Sequence, residues 1–275
     1  MSEVARSPWE CLLLNQGNWQ GSFCQLSATG ELLEKTKSET RLEAINQEQT
    51  MRQTVRLFYD YGLKERVLEY SSLARSVLFL PDGSFSQGST QFSPVGEFGA
   101  ELGLINPERR RRLRAVPIYQ QAELQKITLI PEFLAENTEF ERLDLELLLG
   151  KWAGHTITQF ADWRSPITTT SMLELERLDS NRLRQKLTLI EQENTKVIES
   201  IAAIALHGLE FENTRVLFLV DGGTLACPRQ IKTQTAFSLE LGWLWSLGHR
   251  QRLRRNYDQT GAWISLSLTT ETKIP

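Results

Sequence analysis

From Gly17 onward the chain alternates mostly with period two. Trp19, Gly21, Phe23 and Gln25 fall on one face of an extended segment, and Trp152, Gly154, Thr156 and Thr158 do the same later. Positions 186–190, 197–206, 216–220 and 262–268 are rich in residues that suit a pleated surface. Thr29-Gly30, Asp82-Gly83, Asp221-Gly222 and Thr260-Gly261 supply turn chemistry between such runs. Few helical periods exceed two turns. Ser7, Pro8 and Glu10 predict one short helix, with Ser7 as N-cap, proline at the tolerated first position and Glu10 completing a capping box. Positions 143–149, before Gly150, predict a matching lead-in. Many short strands with few helices predict antiparallel barrels, because closure removes the exposed edges of a long meander.

The pattern occurs twice. Val77-Leu78-Phe79-Leu80-Pro81-Asp82-Gly83 returns as Val216-Leu217-Phe218-Leu219-Val220-Asp221-Gly222, and Phe98, Glu101, Leu102 and Gly103 return as Phe237, Glu240, Leu241 and Gly242, all 139 positions on. Gly17-Asn18-Trp19-Gln20-Gly21 returns as Gly150-Lys151-Trp152-Ala153-Gly154, and the segment 51–57 as 183–189. Each copy is domain-sized, so the sequence predicts a tandem duplication of two barrels rather than a solenoid. The expected domains are 1–131 and 143–275, joined by 131–142, which lacks strand alternation.

Composition narrows the function classes. The 275 residues are 40% hydrophobic and 24% charged, with a formal net charge of −3. Such a chain has no overall field to gather nucleic acid or anionic lipid. The three cysteines lack metal spacing and suit buried thiols in a reducing compartment. His155, His207 and His249 are scattered, and no nucleophile elbow or phosphate loop is present. The expectation is a non-enzymatic, cytoplasmic protein with no cofactor, no metal, no leader or transit segment and no membrane insertion.

Gly17 and Trp19, repeated as Gly150 and Trp152, resemble the Gly-x-Trp signature of the lipocalin and calycin superfamily. That resemblance implies a tryptophan under an arginine from the last strands: Arg112 or Arg114 in the first barrel, Arg254 or Arg255 in the second. The plainer reading of these tryptophans is simple core, and it leaves the barrel prediction standing. The whole chain also resembles a two-barrel family of cyanobacteria and chloroplasts catalogued as a domain of unknown function, of the DUF3598 type. The residues behind this are Trp9, the run from Asn15 to Phe23, Glu240-Leu241-Gly242-Trp243-Leu244, the run from Arg252 to Asp258, and Gly261-Ala262-Trp263. A chloroplast relative is a biogenesis factor for ATP synthase. The resemblance therefore implies an all-β protein of two lipocalin-like barrels that binds subunits of the ATP synthase catalytic head.

Three groups are candidate sites. The runs 109–114 and 249–255 are dense in arginine. By strand alternation Arg110, Arg112 and Arg114 share one face, as do Arg250, Arg252 and Arg254. Their reading is either cross-strand ion pairing or a docking surface for an acidic protein partner, with Arg110, Arg112, Arg250, Arg252 and Arg254 as contacts. Arg255 and Tyr257 share the opposite face and could grip a ligand carboxylate, as an Arg-x-Tyr pair does in fatty-acid-binding barrels. Trp243 and Trp245 share a strand face and read as core, as barrel lining at the same ligand site, or as an exposed apolar patch. The leading expectation is an assembly factor. The rival is a carrier of a lipid, pigment or tetrapyrrole, with a bilin lyase behind it. An open lumen above ~300 Å³ with a convergent arginine would favour the carrier.

Overall fold

The computed structural model describes residues 6–106, 110–134, 142–191 and 194–275, the side chains of 191 and 194 excepted. The first half opens with helix α1 (Pro8–Leu13). Ser7 caps it and Glu10 returns the bond to the Ser7 N–H, so the capping box forms as its spacing predicts. Nine strands follow: β1 (Gly17–Ser27), β2 (Leu32–Ile45), β3 (Thr50–Tyr59), β4 (Gly62–Tyr70), β5 (Val77–Phe79), β6 (Phe85–Gly88), β7 (Glu97–Asn106), β8 (Arg111–Gln120) and β9 (Glu123–Phe133). The second half repeats the plan. A one-turn helix, α2 (Leu145–Leu148), leads into β10 (Gly150–Phe160), β11 (Ile167–Arg177), β12 (Arg182–Glu191) and β13 (Asn194–Ala205). Then come β14 (Gly208–Glu210), β15 (Arg215–Phe218), β16 (Gly223–Cys227), β17 (Phe237–Ser246), β18 (His249–Tyr257) and β19 (Trp263–Ile274).

The two halves correspond strand for strand. Trp19 on β1 matches Trp152 on β10, and the turn at Asp82-Gly83 joins β5 to β6 as Asp221-Gly222 joins β15 to β16. One strand has no counterpart. β14 bridges β13 and β15 and closes the second sheet into a ten-stranded barrel. In the first half the chain runs from β4 to β5 without it. The nine strands order as β4-β3-β2-β1-β9-β8-β7-β6-β5, curled but not hydrogen-bonded between β4 and β5. The repeat spacing shows the same change: Trp19 and Trp152 lie 133 positions apart, Asp82 and Asp221 139. The extra residues of the second copy lie between those markers, where β13 is longer than β4 and β14 is added. Of the expected joint, positions 131–133 belong to β9, and 135–141 lie outside the described residues.

The largest core lies between the halves, not inside either. Leu102, Leu104 and Leu113 from the outer faces of β7 and β8 pack against Leu239, Leu241 and Trp243 of β17. The contact is close to two-fold. Tyr119 donates to the Pro228 carbonyl at 2.7 Å, and its counterpart Tyr257 donates to the Ser89 carbonyl at 2.9 Å. Isolated bridges join Gln91 to Ala262 and Glu123 to Gln230, each being the other displaced by one repeat. Phe98 meets its own equivalent Phe237, ring centroids 5.6 Å apart, as residues near a two-fold axis must. Strand alternation then turns the other face of each sheet toward its own lumen.

Candidate binding site

Each lumen is floored by a tryptophan, two arginines and two glutamates. In the first half the Trp19 indole N–H donates to the Asn15 carbonyl at 2.8 Å, which fixes the ring just beyond α1. The Arg112 guanidinium lies 4.5 Å from the ring centroid. Its Nε donates to Glu132 at 2.7 Å, and Arg114 donates Nε and Nη2 to the same carboxylate at 2.8 and 2.9 Å. Arg114 also reaches Glu101 at 2.7 Å. The second half repeats every part. Trp152 donates to the Leu148 carbonyl at 2.8 Å, and Arg250 lies 4.7 Å from its ring. Arg250 and Arg252 converge on Glu271, and Arg252 and Arg254 reach Glu240.

Two glycines make room for this floor. Gly21 pairs with Glu132 across β1 and β9, and Gly154 pairs with Glu271 across β10 and β19. A Cβ on Gly21 would sit 2.2 Å from the Pro131 carbonyl oxygen, and one on Gly154 2.4 Å from Ser171 Oγ. Gly21 thus admits the strand that carries Glu132, while Gly154 makes room chiefly for Ser171 of β11, with Glu271 Cγ 3.3 Å from the same point.

In each stack the guanidiniums hold a buried glutamate charged. Burial alone would raise the Glu132 carboxyl, but the Arg112 and Arg114 guanidiniums outweigh it and hold it at about 2. Glu240 is likewise held at about 2 by Arg254 and Arg252 against its own burial. Burial pulls Arg112 and Arg250 down, while the paired glutamates push Arg114 and Arg252 above the ordinary value despite burial.

The strand alternation expected for the arginines holds, but its outward face does not. Arg112, Arg250 and Arg252 face their lumens and are tied to glutamates: Glu132 lies opposite Arg112 and Glu271 opposite Arg250, and Arg252 reaches Glu271 and Glu240 diagonally. They offer no docking surface. Arg254 stands farther along the same face, with its side chain 41% exposed, and Arg110 is exposed in the turn before β8. Arg109 lies outside the described residues. The arginine over Trp152 is Arg250 and neither Arg254 nor Arg255. Arg250 is the repeat equivalent of Arg112, Arg254 is two pleats away, and Arg255 points to the opposite side.

Arg255 and Tyr257 do share a face, but that face meets the other half and not a lumen. Arg255 is fully buried, stacks 3.8 Å from the Trp263 centroid, and donates to Tyr257 Oη, Ser86 Oγ and the Ser89 carbonyl. Trp243 is buried in the same interface, with its indole N–H on the Asp221 carbonyl. Trp245 is half-buried against His249. Arg255, Tyr257 and Trp243 thus join the two halves and face away from the floor of the lumen, and Tyr257 also borders a hollow of the second half.

The two lumens differ above their floors. In the second, Leu173, Leu175, Leu183 and Ala202 pack on Trp152. In the first, a cavity of about 650 Å³ remains, walled by Phe23, Val55, Leu57, Phe79 and Phe85. Arg112 and Arg114 line its floor with their charge already spent on glutamates. Sequence reasoning missed the residues of this cavity, Thr40, Lys64 and Arg66 among them. A comparison of the repeats row by row would have found them. A second hollow of about 880 Å³ lies in the second half, among residues 210–214, 228–232 and 235–238, and is bordered by Asn256 and Tyr257 of β18 and Ile264 and Ser265 of β19. No described helix is long and apolar enough to cross a membrane.

No curated protein matches the chain. The family description "Domain of unknown function (DUF3598), N-terminal" matches residues 5–137, and "Biogenesis factor required for ATP synthase 1, C-terminal domain" matches 139–274. Among solved structures, an S-type phycobiliprotein lyase from Guillardia theta is 14% identical, with a TM-score of 0.37, over 47% of this chain and 90% of its own. A DUF3598-family protein of unknown function from Nostoc punctiforme PCC 73102 is 35% identical, with a TM-score of 0.90, over 98% of this chain and all of its own. With that identity over nearly its whole length, and the same fold, the chain belongs to the DUF3598 family.

Proposed function

We propose that this chain is a non-catalytic assembly factor that binds subunits of the ATP synthase catalytic head and covers their apolar surface until the proper neighbour arrives. The observation that carries the reading is the match of residues 139–274 to the C-terminal domain of an ATP synthase biogenesis factor. The same half offers a surface suited to such work. On the outer face of β12 and β13, Ile190, Val197 and Ile201 are 44%, 52% and 56% exposed. The ion pairs Arg184–Glu176 and Lys186–Glu199 lie beside them on the same face. The Lys186–Glu199 pair lies between Val197 and Ile201, so apolar and charged side chains alternate across the patch, and exposed apolar groups among charges suit a protein partner. The test is binding of purified head subunits, each alone, to the immobilised chain. Saturable binding of at least one subunit is expected, with a loss of tenfold or more in the double variant Val197→Glu, Ile201→Glu. Failure of every subunit to bind would overturn the reading.

A further inference from the structure

We propose that the lumen of the first half is a binding site for an amphiphile with an anionic head, the head held by Lys64 and Arg66 and the apolar body lying over Val55, Leu57 and the Phe79–Phe85 pair. The argument begins with the duplication, which makes the second half an internal control. Across the second sheet the row that starts at the floor runs Trp152, Leu173, Leu187, Ile198. The equivalent row in the first half runs Trp19, Thr40, Val55, Arg66. In the second half Leu173 is buried and Leu187 half-buried in the core on Trp152, with Ile198 39% exposed at the end of the row; at the same places the first half has a hydroxyl, a smaller side chain and a cation. The 650 Å³ cavity follows from that exchange, and its size lies in the range that takes a small-molecule ligand.

Two buried hydroxyls of β2 lack partners, one of them in the wall of the cavity. Thr40 is 1% exposed, lines the cavity, and its Oγ1 makes no hydrogen bond; Ser38 Oγ, on the same face of β2, is equally buried and equally unsatisfied. A buried hydroxyl without a partner is costly, so a polar atom of a bound molecule has a place to go. Lys64 and Arg66 line the same cavity, yet neither forms an ion pair among the described residues. The acids of their own strand cannot serve them. Glu65 and Glu69 point outward and are taken by Arg56 and Arg52. The glutamates of the floor are held by Arg112 and Arg114. Two unspent cations over an apolar wall select a molecule with a carboxylate or a similar anion at one end and hydrocarbon or ring at the other. Access is open on the side of the cations, because β4 and β5 are not hydrogen-bonded and β4 is exposed along its length.

The site is independent of the partner-binding reading, and its test leaves that reading untouched. Titration of the full chain with 11-(dansylamino)undecanoic acid should give saturable fluorescence enhancement with one site per chain. The methyl ester of the same probe should bind at least tenfold more weakly. The double variant Lys64→Glu, Arg66→Glu should lose the preference for the acid, and Val55→Trp, which fills the lumen beside Thr40, should abolish binding with the far-ultraviolet circular dichroism unchanged. Should Val55→Trp misfold, a diazirine-bearing long-chain acid on the wild-type chain decides the matter, since its crosslinks should fall within residues 36–85. No saturable binding, equal affinity for acid and ester, binding intact in a folded Val55→Trp, or crosslinks confined to 210–214, 228–232 and 235–238 would each overturn the proposal.

Discussion

Replacing Glu132 by glutamine removes the anion that two buried guanidiniums share. Its side chain is wholly buried, and it accepts three hydrogen bonds of 2.7–2.9 Å from Arg112 and Arg114. Arg114 keeps Glu101 after the change, but Arg112 keeps only the amide oxygen of Asn15 at 3.2 Å and the face of Trp19. Leaving a buried charge uncompensated costs about 3–5 kcal/mol. Glu101→Gln is the control. It leaves Arg114 on Glu132, so its expected cost is about 1–2 kcal/mol. The pH dependence adds a second measurement. The folded pKa of Glu132, about 2, lies below the value near 4.3 of an unfolded glutamate. A depressed carboxyl of this kind contributes its full stabilisation above the unfolded pKa and loses it as pH falls through the folded one. The contribution is on the order of 3 kcal/mol, present at pH 6 and gone near pH 2. Urea denaturation of wild type and both variants, at pH 7 and at steps down to pH 2.5, reads both quantities. The difference between wild type and Glu132→Gln should shrink with acid. A cost below ~1 kcal/mol at neutral pH, or a difference that stays constant to pH 2.5, would refute the reasoning.

Four further outcomes follow from the same geometry. Trp152→Ala should cost about 3–5 kcal/mol in chemical denaturation, since it removes a fully buried ring together with the seat of Arg250. Arg255→Ala should cost about 3 kcal/mol, whereas Arg255→Met should cost under about 1.5, because no carboxylate contacts Arg255 among the described residues and methionine keeps much of the volume against Trp263; thermal or urea unfolding separates the two. Burial pushes the Cys227 thiol up to about 12, and Cys11 and Cys24 are buried as well, so a thiol reagent at pH 8 should label the native chain far more slowly than the urea-unfolded one. Gly222→Ala should destabilise measurably by the same assays, since φ is +69° there and the added Cβ would lie 2.4 Å from the Leu244 carbonyl oxygen.

Much of the fold was legible because duplication prints each signal twice. The Gly-x-Trp pairs, the Asp-Gly turns and the Ser7 cap all fall where their local chemistry requires. The resemblance placed Arg112 over Trp19 from its first pair of candidates. It missed Arg250 over Trp152 because the choice among four nearby arginines depends on register, and a strand turns over with each residue. The inward direction of the arginines was harder to see. Their partners Glu132 and Glu271 lie about twenty residues downstream, and nothing local marks a glutamate as buried. Yet the two glutamates stand one repeat apart, and that coincidence was available in the sequence. The shared core was not legible from pattern alone. Alternation tells which residues share a face, but Leu102 and Leu241 face away from their own lumens and are buried only because the other half covers them. The cavity was hidden for a related reason. Thr40 and Arg66 look like ordinary strand residues until set beside Leu173 and Ile198.

The near two-fold contact between the halves has a consequence for how this protein could change over time. A self-complementary interface between separate identical chains binds each copy to the sequence of the other, and its occupancy falls with dilution. Within a single chain the two surfaces meet at an effective concentration on the order of millimolar, whatever the amount of protein present. Association no longer constrains the partners to be identical. One half can fill its lumen with leucine and gain closure from three residues of β14, while the other leaves its seam open and its cations unspent. Fusion therefore releases one half from the need to be stable by itself, because its twin and the core they share hold it in place.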